Sequence, residues 1–124
     1  EVKKLFQNDL EDTIAKYSII QNAHLYREHI AVAVSAKPVG RVIAAQAADE
    51  LLNIIGIDAS FVLAPDGDTV NISARSMGDV NVQVVLEALG GGGNAAAAGG
   101  QVTGKSIEDV ARELMQAIDQ YLEG

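Results

Sequence analysis

From Val2 to about Ile20 the apolar residues Val2, Leu5, Phe6, Leu10, Ile14 and Tyr17 recur at helical spacing. That period gathers them on one stripe of an amphipathic helix. Residues 1–22 therefore read as an N-terminal helix, or a linker from a preceding domain. His29 to Ser35 is a short β-branched run bounded by polar residues, the profile of a buried strand. Helical spacing returns from Val39 to Ile55 through Val42, Ile43, Ala47, Leu51, Ile54 and Ile55, with Gly56 expected as the C′ residue.

Two further runs, Ser60–Ala64 and Thr69–Ser76, flank Pro65-Asp66-Gly67-Asp68. Asp-Gly between β-rich segments signals a hairpin, so these strands should pair antiparallel. Alternation in the second sends Val70, Ile72 and Ala74 to one face and Asn71, Ser73 and Arg75 to the other. Asp79 is placed to cap a helix from about Val80 to Leu89, which runs into four consecutive glycines, Gly90 to Gly93. After Gly99-Gly100, Gln101-Val102 reads as a last short strand. Ser106-Ile107-Glu108-Asp109 resembles a capping box and opens a final helix to about Tyr121. No internal repeat is visible. The order predicts a single α/β domain, a small mixed β-sheet flanked by helices, over residues 23–124.

Composition narrows the partners. A chain of 124 residues that is 48% hydrophobic can bury a core of its own. The absence of cysteine excludes disulfides and thiolate metal sites and suits a reducing compartment. Ile30–Val34 and Ala95–Ala98, the longest apolar runs, fall far short of the ~20 residues of a membrane helix. Opening at Glu1 directly in helical pattern, the chain is expected to be a piece of a longer one. The net charge is −8 and the nine Lys and Arg residues are scattered, so there is no basic stripe for a long nucleic acid. A ligand with one or two phosphates, held by amide N–H groups and one arginine, fits this balance better.

The glycine run, continuing into Asn94-Ala95-Ala96-Ala97-Ala98-Gly99, offers backbone with no Cβ in the way and is the leading candidate for a binding surface. Gly99 to Ser106 also matches G-x-x-x-x-G-K-[ST] to the letter. A P-loop, however, needs a buried strand delivering the loop and later strands supplying a magnesium-coordinating acid. Here Asn94 to Ala98 is not a strand pattern and one helix remains after Ser106, so the reading is a turn followed by a capped helix. A dinucleotide fingerprint fails because these glycines follow a helix rather than a strand. His24 and His29, five residues apart with no cysteine, do not read as metal ligands. No nucleophile–base pair is evident, and neither catalytic nor metal-ligating residues are assigned.

Three segments together carry a family resemblance. They are Asn71-Ile72-Ser73-Ala74-Arg75-Ser76, the stretch Gly78 to Leu89, and Gly90 to Gly99. They resemble the DHH-associated domain, subfamily 1, whose signature loop reads G-G-G-H-x-x-A-A-G. Gly91 to Gly99 follows it at every defined position except that Asn94 stands in place of His. The match spans about Ile30 to Val102 and is closest to the membrane-tethered cyclic di-AMP phosphodiesterases.

The resemblance implies a division of labour. An upstream DHH domain, outside this chain, holds two manganese ions, and the associated domain closes over the cleft and holds the substrate. This chain alone is then an inactive, substrate-binding half on the cytoplasmic side of a membrane-anchored parent. Carried over, Arg75 would donate to phosphate or a base edge, with Ser73 assisting from the same strand face. Gly91, Gly92 and Gly93 would present amides to a phosphate, helped if Asn94 begins a helical turn. Asn94 can donate a hydrogen bond but, unlike His, can neither take up a proton nor carry a positive charge near neutral pH. The plainer alternatives are an arginine paired with a local carboxylate and glycines that only stop a helix.

The implied partners are a small nucleotide, cyclic di-AMP or a dinucleotide, and the upstream domain; whether the chain forms a homodimer is left open. Two other functions also stay open. One is a non-catalytic nucleotide sensor or interaction module. The other, a grip for single-stranded nucleic acid, is disfavoured by the acidic charge and the five aromatic residues.

Overall fold

The computed structural model describes residues 2–124, with side chains from residue 10 onward; the side chains of Val2, Leu5 and Phe6 lie outside the described residues. Ten elements follow in order: α1 (Val2–Gln21), β1 (His24–Tyr26), β2 (Ile30–Val34), α2 (Arg41–Leu52), β3 (Ala59–Asp66), β4 (Thr69–Ser76), α3 (Val82–Glu87), β5 (Gly92–Gly93), β6 (Ala97–Thr103) and α4 (Ile107–Glu123). The strands form one mixed sheet in the order β1-β2-β3-β4-β6-β5. Only β2 and β3 are parallel, joined by a crossover through α2.

Alternation in the central strands sorts the core into two layers. Ile30 and Val32 of β2, Phe61 and Leu63 of β3, and Val70, Ile72 and Ala74 of β4 point to one face, where Val82, Val85 and Leu86 of α3 and Val110, Leu114 and Ile118 of α4 cover them. Ala31, Ala33 and Val62 point to the other, against Ile19 of α1 and Ala44, Ala47, Ala48 and Leu51 of α2. Alanine on both sides of that second layer lets α2 approach the sheet closely, and the buried Ser60 hydroxyl donates to the Ala48 carbonyl at 2.7 Å. The predicted alternation of β4 is therefore realised.

Several local expectations are corrected. The predicted stripe of α1 does not face this core: Leu10, Ile14 and Tyr17 are exposed, and Ile19 and Ile20 dock the helix instead. α2 ends at Leu52 with Asn53 as its C-cap, so Gly56 (φ 93°) belongs to the following turn rather than to C′. The cap of α3 is Asn81, whose Oδ1 accepts from the Val84 amide at 3.3 Å, and not Asp79. β1 carries no sequence signal, and its three-residue turn to β2 holds Arg27 and Glu28 at φ 55° and 71°. The last strand is seven residues long rather than two, and the preceding glycines pair with it as β5. Ser106 caps α4, accepting from the Asp109 amide at 3.1 Å as expected.

Candidate functional site

α1 lies over β2 and α2 over β3 and β4 on one face of the sheet, and that cover stops before β6 and β5. The uncovered part of the face is the floor of a cleft of about 690 Å³, within the usual range for a small-molecule site. Its floor is set by the β4–β6 ladder, which puts Arg75 opposite Ala97, Ser73 opposite Gly99 and Asn71 opposite Gln101. Arg41 and Ala45 of α2 form one wall, and Gly90 to Gly93 form the other. The cleft thus unites Ser73, Arg75, Gly91, Gly92 and Gly93, all five expected from the sequence. Asn94 is not among its lining residues.

Arg75 is half-buried and committed on two sides. Its Nε donates to Asp49 Oδ1 at 2.8 Å and its Nη1 to the Ala74 carbonyl at 2.9 Å. The local carboxylate weighed as the plainer alternative is therefore present, while Nη2 makes no hydrogen bond to another described residue. Ser73 likewise offers its hydroxyl to the cleft without a described partner.

The glycines divide by what surrounds them. A Cβ on Gly91 would lie 2.5 Å from the Gly99 carbonyl oxygen, and one on Gly93 the same distance from that of Ala97. Close approach of β6 therefore excludes side chains at both, independent of any ligand. Gly92 is exposed, and a Cβ added there would meet nothing within 4 Å. The amides divide differently. That of Gly91 is bonded internally, to the Leu86 carbonyl at 2.8 Å. Asn94 donates to the Ala97 carbonyl at 2.8 Å, so ladder alternation turns the Gly92 amide toward Gly99 and the Gly93 amide away from β6, at the free edge of the sheet. The expectation of three amides presented together is reduced to one.

The helical turn expected at Asn94 does not form. Asn94 to Ala96 is the tight link between β5 and β6, and Asn94 Oδ1 accepts from the Ala96 and Ala97 amides, both at 2.9 Å. This is the local side-chain-to-backbone bonding that Asn favours in turns. The P-loop match dissolves in the same way. Gly99 to Thr103 are strand, Gly104 turns the chain at φ 81°, and Lys105 Nζ pairs with Glu113 at 2.7 Å.

Sequence reasoning missed Arg41, Asn71 and Gln101 as cleft residues. With the Gln101 amide turned so that its oxygen meets the guanidinium, it accepts from Arg41 Nε at 3.2 Å and also from Nη2. The alternation of β4 did place Asn71 on this face, but nothing local tied it to Arg41. Among the described residues no three His, Cys, Asp or Glu side chains gather as a metal site, so the manganese of the resemblance does not fit these residues. Nor is any described helix long and apolar enough to cross a membrane.

The DHHA1 domain model matches residues 28–124. The chain is 41% identical over 128 residues to the cyclic-di-AMP phosphodiesterase GdpP of Bacillus subtilis, covering 99% of this chain and 19% of that protein. It is 38% identical over 127 residues to the cyclic-di-AMP phosphodiesterase PdeA of Listeria monocytogenes, with the same coverage of both. Among solved structures, an exopolyphosphatase-related protein from Bacteroides fragilis superposes with a TM-score of 0.76 at 20% identity, over 89% of this chain and 34% of that one, a likeness of fold. The chain spans about a fifth of the length of the curated relatives it matches.

Proposed function

The chain belongs to the DHHA1 domain family, and from that membership together with the cleft we propose that it is the substrate-holding domain of a DHH-family phosphodiesterase. Its substrate would be cyclic di-AMP or a very short oligonucleotide. Manganese and the water it activates would belong to another part of the parent protein, which would be membrane-anchored with this domain in the cytoplasm. The observation that carries the reading is the convergence of Arg75, Ser73 and the glycine wall on one concave face.

In this reading Arg75 Nη2 and the Ser73 hydroxyl donate to a phosphate oxygen or base edge, and the Gly93 amide adds a donor at the sheet edge. Charge-assisted donation from a planar guanidinium is the stronger of these contacts. Gly92 keeps the opposite wall low, so that a flat ligand lies against backbone. Asn94 acts at one remove, shaping the link that holds β5 against β6. The carboxylate of Asp49 balances Arg75 until an anion competes for it.

Titration calorimetry of the chain with cyclic di-AMP tests the proposal. Binding is expected, with Arg75→Ala weakening it at least about tenfold, the loss of one charge-assisted hydrogen bond. No binding to the wild-type chain, or unchanged affinity in the variant, would overturn it.

A further inference from the structure

α2 and β4 run side by side along the cleft, and their facing residues form two matched rows. Arg41, Ala45 and Asp49 lie four residues apart, on one side of the helix. Asn71, Ser73 and Arg75 are alternate residues on one face of the strand. At one end Asp49 pairs with Arg75. At the other, Arg41 meets Gln101, the ladder partner of Asn71. Eight helical steps cover about 12 Å and four strand steps about 13 Å, so the backbone positions that carry the trough's two polar ends are that far apart. Between them Ala45 and Gly99 supply no polar side chain, leaving the Ser73 hydroxyl alone.

The two ends differ in charge. Arg75 is neutralised by Asp49, whereas none of the ion pairs among the described residues involves Arg41. Its contact is with a neutral amide. Asn71 beneath it is buried, 4% exposed, and its Nδ2 donates to Asp66 Oδ2 at 3.4 Å, so it packs under this end without facing a ligand itself. Helix stability does not account for Arg41 either. It is the first residue of α2, where the macrodipole disfavours a cation. The same helix end has Gly40 as its N-cap, with no side-chain cap, so its first amides add partial positive charge.

We propose that Arg41, steadied by Gln101, is a second recognition end of the trough, holding the distal phosphate of a two-phosphate nucleotide whose other half lies at Arg75. The site would then measure ligand length. A mononucleotide engages one end, and a dinucleotide reaches both. This rests on the substrate-holding role proposed above and adds which ligands it selects.

The test compares cyclic di-AMP with AMP by calorimetry on the wild-type chain and on Arg41→Ala, Arg41→Lys and Arg75→Ala. Arg41 is exposed, so its variants should keep the wild-type circular dichroism spectrum. Arg41→Ala is expected to weaken cyclic di-AMP about tenfold or more while AMP changes less than about twofold, and Arg41→Lys to recover part of the loss through charge alone. Arg75→Ala should weaken both ligands. If the wild-type chain binds cyclic di-AMP and Arg41→Ala leaves that affinity unchanged, or lowers both ligands equally, the second end is refuted while the substrate-holding role stands. If the wild-type chain binds neither ligand, both fall.

Discussion

Arg75 Nε and Asp49 Oδ1 stand 2.8 Å apart, joining β4 to the last turn of α2 across one end of the cleft. Asp49 is more than half exposed, 57%, so water screens the pair and it contributes at most about 1 kcal/mol to stability. Its greater effect is on charge within the cleft.

Asp49→Asn keeps a hydrogen-bond acceptor and removes the negative charge. Thermal unfolding should be nearly unchanged, with a loss below about 1 kcal/mol. The affinity for an anionic nucleotide should rise several-fold, because Arg75 is released from its competitor. Calorimetry on the variant beside the wild type reads both the sign and the size.

The glycine wall yields a graded series. Gly91→Ala brings a methyl group within 2.5 Å of the Gly99 carbonyl and should cost about 1–3 kcal/mol, the usual range for overpacking. Gly93→Ala meets the same obstacle at Ala97 with a φ of 148°, and should cost more. Gly92→Ala faces open space and should change stability by less than about 0.5 kcal/mol. Urea denaturation separates the three. Reduced nucleotide affinity in Gly92→Ala at intact stability would report the cleft directly.

Asn94 is expected to act through the fold. Asn94→Asp retains the acceptor that serves the Ala96 and Ala97 amides and should stay within about 0.5 kcal/mol of wild type. Asn94→Ala removes both bonds and should lose about 1–2 kcal/mol. Hydrogen exchange at the Ala96 and Ala97 amides would locate the effect.

Lys105 and Ser106 should behave as turn and cap. Ser106→Ala is expected to cost about 1 kcal/mol through the lost bond to the Asp109 amide. Lys105→Ala should leave nucleotide affinity unaltered, since the lysine pairs with Glu113. A titration in which Lys105→Ala abolished binding would restore the phosphate-loop reading.

The β1–β2 hairpin is tied to α4 by Tyr26, whose hydroxyl donates to Asp119 at 2.6 Å. That bond holds the phenol above its ordinary value near 10, followed by burial as the second cause. The folded pKa being the higher, this stabilisation is complete below pH 10 and is lost as the pH rises through the folded value. Tyr26→Phe should lower stability by about 1 kcal/mol at neutral pH. The difference from wild type should shrink in strongly alkaline buffer, which denaturation at several pH values measures.

Local pattern sufficed wherever a side chain's own neighbours decide its environment. The β3–β4 hairpin follows from Asp66-Gly67 between alternating strands, with Gly67 at φ 63° in a two-residue turn. α2 and α4 follow from their spacing, and Ser106 from its cap chemistry. The two faces of β4 also placed Ser73 and Arg75 together. β1 left no such trace. Arg27 and Glu28 take positive φ in its turn although neither is Gly or Asn, and Arg27 is held by Asp119 and Glu123, more than ninety residues away. The start of α3 was decided from α4, where the Tyr121 hydroxyl accepts from the Asn81 amide at 3.0 Å. Asp79 and Asn81 are equally good caps by residue type.

Sequence alone determined the class of the chain, its central strands, its glycine-rich segment and a resemblance specific enough to name a family. All of these rest on residue type and near-neighbour period. Tertiary structure decided what those glycines do. Gly and Ala carry no alternation of polar and apolar side chains, so only the pairing of β6 with β4, and of β5 with β6, could show that residues 92–103 are mostly strand. It also decided the cleft, because Arg41, Asn71 and Gln101 lie tens of residues apart and meet only when α2 crosses the sheet. Long-range packing sets such meetings, and no local period encodes it.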